Sequence, residues 1–320
     1  MLDKSIAIIG ALLVSLMIAL PTQALSKGHS AVNNQSIFVD NLNQTANTTK
    51  YNSGSLWNSE LFNPSRFTLN IKLTPAEKKE ASLVVRSFEA HMRTGALFMH
   101  HLLTELKKRN LPVELVALPL LESGYKQRAR SHAGAKGPWR FIHATGKSYG
   151  LKTSSDYDEF YDFIRSTDAS LRYLTHLYNE LHHNWDLAIA AYNQGEFTIK
   201  RAIRKAKKSG ITTYNMNTLK LSNHARLYVR RFHAYADILR SPEKYRVKLP
   251  QLQNRPAFKQ VQVAGKLNSM KKAAELAGVK VSTLKHLNAG YLTDSLRTKQ
   301  QYGLLVPIEN ASKLERALKK

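Results

Sequence analysis

The sequence predicts a mainly α-helical domain followed by a small βααβ module at the C-terminal end. Three observations carry that prediction. Apolar residues recur at helical spacing between residues 75 and 240, and no run alternates with period two before residue 257. Beyond a proline-bearing stretch at 241–257 the pattern changes to "FKQVQV", two short helical runs and "YGLLVP".

Taken in order, "MLDKS" precedes the fifteen apolar residues "IAIIGALLVSLMIAL" and the small-residue stretch "PTQALS". This is the layout of a secretory signal, residues 1–24, and the apolar core is short for a membrane span, which needs about 20 residues. An exported protein of the periplasm or cell envelope is expected, with an uncleaved anchor as the alternative. Residues 25–70, rich in Asn, Ser and Thr, predict a flexible linker.

The main domain is expected over 71–250. Thr74, Pro75 and Glu77 form a capping box with proline at the first helical position, opening a helix that runs to about Asn110 with an expected break at Gly95. Pro112 opens the next helix. There Leu111, Leu115, Leu118 and Glu122 follow one another at offsets of four, three and four, so the glutamate shares the apolar face, and Pro119 should kink or end the helix beside it. Helices follow at 167–183, 185–193, 197–208 and 223–240; "WDLAIAAY" is apolar nearly all round and should lie at the centre of the domain. Residues 258–320 make the C-terminal module.

Charge and composition narrow the function. Forty-eight Lys and Arg against 23 Asp and Glu give +25, so polyanions are the natural partners. Export argues against nucleic acid and favours acidic cell-wall glycan. A secreted nucleic-acid or lipopolysaccharide binder would rest on charge alone. The basic run "RAIRKAKK" reads as a solvated helix face, open also to peripheral contact with a membrane. The sequence has no cysteine, which excludes disulfides and a thiolate nucleophile. Twelve histidines, His100-His101 and His182-His183 among them, show no metal-ligand spacing, so neither metal nor cofactor is expected.

Glu122 is the candidate for chemistry. After it no acidic residue occurs until Asp156, across an interval with seven Lys or Arg. A carboxyl packed against Leu115 and Leu118 is desolvated, and a raised pKa suits a proton donor to a glycosidic oxygen. A half-buried glutamate in a structural ion pair fits the spacing equally well. The loop "SHAGAKGPWRF" adds Gly134 and Gly137, where backbone can approach a ligand, and the flat rings of Trp139 and Phe141; a core position for Trp139 is the competing reading.

"LPLLESGY", "SHAGAKGPWRF", "TGKSYGL" and "AAYNQGE", in this order, resemble the lytic transglycosylase (SLT) domain of goose-type lysozyme relatives, closest to the membrane-bound lytic murein transglycosylase D group. The resemblance implies a lysozyme-like helical fold, peptidoglycan glycan strands as partner, and cleavage of the bond between N-acetylmuramic acid and N-acetylglucosamine. It makes Glu122 the sole catalytic acid and base, giving a 1,6-anhydromuramoyl product. It further implies that Ser131 bonds the catalytic carboxyl or substrate, that Gly134, Gly137, Trp139 and Phe141 form the glycine-aromatic loop, and that Tyr192, Asn193 and Gly195 line the cleft. Tyr228 is a weaker match.

Three positions depart from the family. Its loop glutamine is Arg140 here, the glutamate of its E-T-R motif is His224, and an expected aspartate-arginine pair at 158–162 reads "DEFYDF". Arg140, in the cleft by its loop position, would lower the pKa of Glu122 and weaken it as an acid. The alternative function is therefore a catalytically degenerate, peptidoglycan-binding or scaffolding protein. The C-terminal module is similar in outline to LysM domains, although its first turn reads "GKLNS".

Overall fold

The structure, a computed structural model, describes residues 54–61, 64–298 and 302–319. The expected signal segment and most of the expected linker lie outside them. The described chain is mainly helical, with one two-stranded antiparallel sheet. Among these residues no helix is long and apolar enough to cross a membrane.

Helix α1 (Pro75–Lys108) begins at the predicted capping box: the Glu77 N–H donates to Thr74 Oγ1, and the Thr74 N–H donates to a Glu77 carboxylate oxygen at 2.6 Å. It runs unbroken through Gly95. A Cβ there would stand 2.5 Å from the Tyr125 ring, so the glycine serves close packing and leaves the helix intact. A 3-10 turn at Val113–Val116 leads into α2 (Ala117–Ser123), which carries Glu122. Helix α3 (His143–Ser148) follows the loop.

Helix α4 (Phe163–Glu180) starts earlier than predicted because Asp162 accepts hydrogen bonds from the N–H groups of Ile164 and Arg165. It stops before His182 and His183, both at positive φ. Helix α5 (Trp185–Gln194) is the predicted centre: Leu187 to Ala191 are all fully buried, and the helix packs on α4, α6 (Glu196–Lys208) and α7 (Asn223–Arg240). Helix α7 also packs along α1 and α2, which sets the site.

The expectation of a linker through residue 70 fails for its last part. Leu56, Trp57 and Leu61 are buried in the main core, where their transfer from water is favourable. Trp57 Nε1 donates to the Pro250 carbonyl at 2.6 Å, and Leu56 N donates to Leu252 O at 2.8 Å. The N-terminal segment and the 241–257 connection therefore hold one another.

In the C-terminal module, β1 (Phe258–Val261) pairs antiparallel with β2 (Leu304–Pro307), Phe258 opposite Pro307, around α8 (Met270–Ala277) and α9 (Val281–Leu287). A further helix, α10 (Ile308–Ala317), was not predicted. The module docks on "DEFYDF". Tyr302 stacks on Tyr157 at a centroid distance of 3.6 Å and its hydroxyl donates to Glu159; Asp158 N donates to Gly290 O. The segment that departs from the family's pattern is thus the seat of the second module.

Candidate active site

Glu122 sits in the last turn of a seven-residue helix whose end is fixed by its neighbours. Gly124, at φ 59, donates to Leu120 O, the bond of a left-handed helix stop, and Tyr125 N donates to Pro119 O. A Cβ on Gly124 would meet the His91 ring at 2.5 Å, and Tyr125, fully buried, donates its hydroxyl to Val116 O. "SGY" therefore locks the end of α2 onto α1. Ser123 Oγ lies 2.8 Å from its acceptor, the Pro138 carbonyl, and so ties the same turn to the glycine-aromatic loop.

Helix α7 completes the site. The Tyr228 hydroxyl donates to Glu122 Oε1 across 106 positions of sequence, and Tyr228 is itself buried. Tyr192, at the end of α5, donates to the Trp139 carbonyl at 2.8 Å and feels the charge of Glu122. Arg140 Nη1 donates to the main-chain oxygen of Glu122 at 3.1 Å. Burial pushes the Glu122 carboxyl up to about 7, against the Tyr228 hydrogen bond and the Arg140 charge, which both lower it. The expected weakening by Arg140 is present and is outweighed by burial.

Glu122, Arg140, Tyr192 and Tyr228 form one constellation. Tyr228, the weakest match in the sequence, is the one that bonds the carboxyl. Ser131 does not bond Glu122: its Oγ accepts from Ala135 N at 2.9 Å and closes the turn that presents Gly134. Trp139 is fully buried and donates Nε1 to Thr167 Oγ1 at 2.9 Å, and Phe141 is 3% exposed between Tyr173 and Tyr192. Neither ring presents a free face to a sugar, because both are needed to seat α4 and α5 against the loop. Gly137 also serves packing, since a Cβ would stand 1.8 Å from the Phe160 carbonyl oxygen. Gly134 and Gly195, both at positive φ, have open space around them. Asn193 accepts from the neighbouring Gln194 side chain.

Sequence reading missed Tyr173 and Tyr149, whose rings continue outward from Tyr192 at centroid distances of 5.6 and then 5.0 Å. It also missed Ser170, whose hydroxyl lies 3.4 Å from that of Tyr192. Single tyrosines on helix faces carry no signal that separates cleft from core. Among the described residues no group of His, Asp or Glu could hold a metal.

Residues 102–215 match the transglycosylase SLT domain, and residues 257–320 match the LysM-like domain of lytic transglycosylase MltD. Over 221 residues the chain is 36% identical to membrane-bound lytic murein transglycosylase D of Escherichia coli strain K12, an alignment covering 69% of this chain and 48% of that protein. The same figures hold for the protein of that name from strain CFT073. The chain thus spans about half the length of these relatives. A partial likeness links it to the solved structure of lytic transglycosylase Slt from Pseudomonas aeruginosa, at 22% identity and a TM-score of 0.36, covering 47% of this chain and 25% of that one. The chain thus carries a region that matches the transglycosylase SLT domain and a module that matches the LysM-like domain of lytic transglycosylase MltD, and is similar over 221 residues to membrane-bound lytic murein transglycosylase D.

Proposed function

We propose that this protein cleaves the β-1,4 bond between N-acetylmuramic acid and N-acetylglucosamine of peptidoglycan and leaves a 1,6-anhydromuramoyl end. The observation that carries the reading is Glu122, a half-buried carboxyl that desolvation raises to about 7, whose polar neighbours among the described residues are two tyrosines and an arginine, with no second carboxylate. Most glycosidases pair two carboxyl groups. With one, the nucleophile has to come from elsewhere.

The protonated carboxyl of Glu122 gives its proton to the glycosidic oxygen as the C1–O bond breaks. The resulting carboxylate takes the proton of the muramic acid 6-hydroxyl, whose oxygen attacks C1 and closes the anhydro ring. Glu122 ends protonated and no water is consumed. The hydroxyl of Tyr228 orients the carboxyl and stabilises its charged form during the second half. The degenerate reading rested on Arg140 and on His224 in place of the E-T-R glutamate, and a Glu122 pKa of about 7 argues against the first of these grounds.

The substrate is cell-wall glycan, whose carboxylates suit the charge of +25, and the LysM-like module would bind the same polymer. The site is assigned to the cell envelope, in keeping with the apolar N-terminal run and the "membrane-bound" relatives. Domain limits of 71–250 and 258–320 are proposed with it, the first joined in its core by Leu56, Trp57 and Leu61.

The test is digestion of purified sacculi with product masses read out. Anhydro products, lighter by one water than hydrolytic ones and lost in Glu122→Gln, support the proposal. Reducing ends would mean hydrolysis, and no product at any pH would defeat it.

A further inference from the structure

The reaction proposed above leaves Arg140 without a task, although a cation beside a general acid is a cost. Its backbone sits at φ 47, uncommon for a residue with a side chain, held by its N–H to Gly137 O at 3.1 Å and by the paired Lys136 and Phe141. That conformation fixes where the guanidinium begins. Of the cations in this loop, Lys136 is paired with Asp158 and Arg130 bonds the Tyr161 hydroxyl, whereas the hydrogen bond that Arg140 makes is the one to the Glu122 main chain. No Arg140 nitrogen is buried without a partner, and the residue is half-exposed.

An arginine with a spare planar fork is suited to a carboxylate. The substrate offers one at short range. Muramic acid carries a lactyl ether at C3, one ring's span from the bond that Glu122 would protonate. In strands bearing stem peptides that lactyl carboxyl is tied up as an amide, and in peptide-free strands it is a free anion.

We propose that Arg140 is a specificity residue that receives the free lactyl carboxylate of peptide-free muramic acid at the scissile bond. This rests on the function proposed above. When the anion docks, it offsets the guanidinium field on Glu122 and Tyr228, so Glu122 holds its proton best with the favoured substrate bound. The arrangement directs cleavage to glycan already processed by an amidase-type reaction, which removes the stem and generates that carboxylate.

The experiment compares three substrates: peptide-free strands, the same strands with the lactyl carboxyl converted to its methyl amide, and stem-bearing strands. Wild-type kcat/KM should fall about 10- to 100-fold on amidation, the range expected for a charge-assisted bond. Arg140→Lys should keep part of the preference, and Arg140→Gln should bring free and amidated strands within about twofold. Equal wild-type rates on both, a preference retained by Arg140→Gln, or faster cleavage of stem-bearing strands would overturn the proposal. If the wild type cuts none of the three, the enzymatic reading fails. The same preference is then sought in binding by the Glu122→Gln chain, and its absence there overturns the role of Arg140 as well.

Discussion

Replacing Glu122 by glutamine should make the protein more stable at neutral pH while removing its activity. The carboxyl is raised from an ordinary 4.5 to about 7 in the folded chain because burial disfavours its charge. A group raised in this way opposes folding once it ionises: the cost is absent below pH 4.5, grows as pH rises to about 7, and is constant above. A rise of that size corresponds to about 3 kcal/mol. Glu122 keeps some access to solvent, so the expected gain is roughly 1.5 to 3 kcal/mol. Glutamine has the same shape, carries no charge, and keeps an oxygen to accept the Tyr228 hydroxyl. At about 2 to 4 °C per kcal/mol for a chain of this size, melting should rise by roughly 3 to 12 °C at pH 8. Parallel thermal or urea unfolding of wild type and Glu122→Gln at pH 4 and pH 8 reads this directly. Equal stability at pH 8, or a gap at pH 4 as large as at pH 8, would refute the account of a desolvated acid, whatever the activity measurements show.

Tyr228→Phe removes the hydrogen bond that favours the charged carboxyl, so Glu122 should titrate about one to two pH units higher, and the alkaline limb of the pH–rate profile should move up with it; a limb that stays put or moves down contradicts the assigned contact. His233, on α7, is held between Glu77 at 2.6 Å and Asp186 at 2.8 Å; burial alone would lower its pKa, and these bonds raise it to about 9. Its stabilisation is complete below pH 6.5 and lost as pH rises through 9, while that of Glu77, depressed to about 2, is lost as pH falls below 4.5. His233→Gln should therefore lower the urea stability by about 2 kcal/mol at pH 6 and by little at pH 9.5. Gly137→Ala needs both a strained φ of 82 and a shift of the Phe160 backbone, and should cost roughly 3 kcal/mol and displace Arg140, seen as lowered melting and lost cleavage together.

The helical frame was legible because its signals are local. The capping box at Thr74 and the all-apolar face of α5 are each decided within a few residues and appear where the pattern put them, whereas the helix expected from Pro112 is a 3-10 turn at Val113–Val116 followed by α2 from Ala117. What failed was reading long-range partners from local composition. "SLWNSEL" sits in a polar stretch and looks unstructured, yet Trp57 finds its acceptor 193 positions away. α10 escaped notice because its short apolar set, Ala311 and Leu314, needs the module's core to become a face. Gly137 misled, because backbone that comes close to a ligand and backbone that comes close to Phe160 leave the same mark in a sequence, and Gly95, expected as a break, serves packing against Tyr125.

The site shows a second kind of limit. The sequence names every group that acts on Glu122, namely the leucines before it, Arg140 and Tyr228, but it cannot weigh them. A guanidinium near a carboxylate and a carboxylate withdrawn from water act in opposite directions, and both can reach several kcal/mol. The outcome depends on geometry: Arg140 is held to the main-chain oxygen of Glu122, and Tyr228 reaches the carboxylate from a helix packed across the top of α2. Had the guanidinium been placed against the carboxylate oxygens in a bidentate pair, the same residues would have made an ion pair with no acid function. The loop backbone, with Arg140 at positive φ and its N–H bonded to Gly137 O, sets where that guanidinium starts. Substitutions that release that loop, Gly137→Ala among them, should therefore shift the titration of Glu122 along with the stability of the fold.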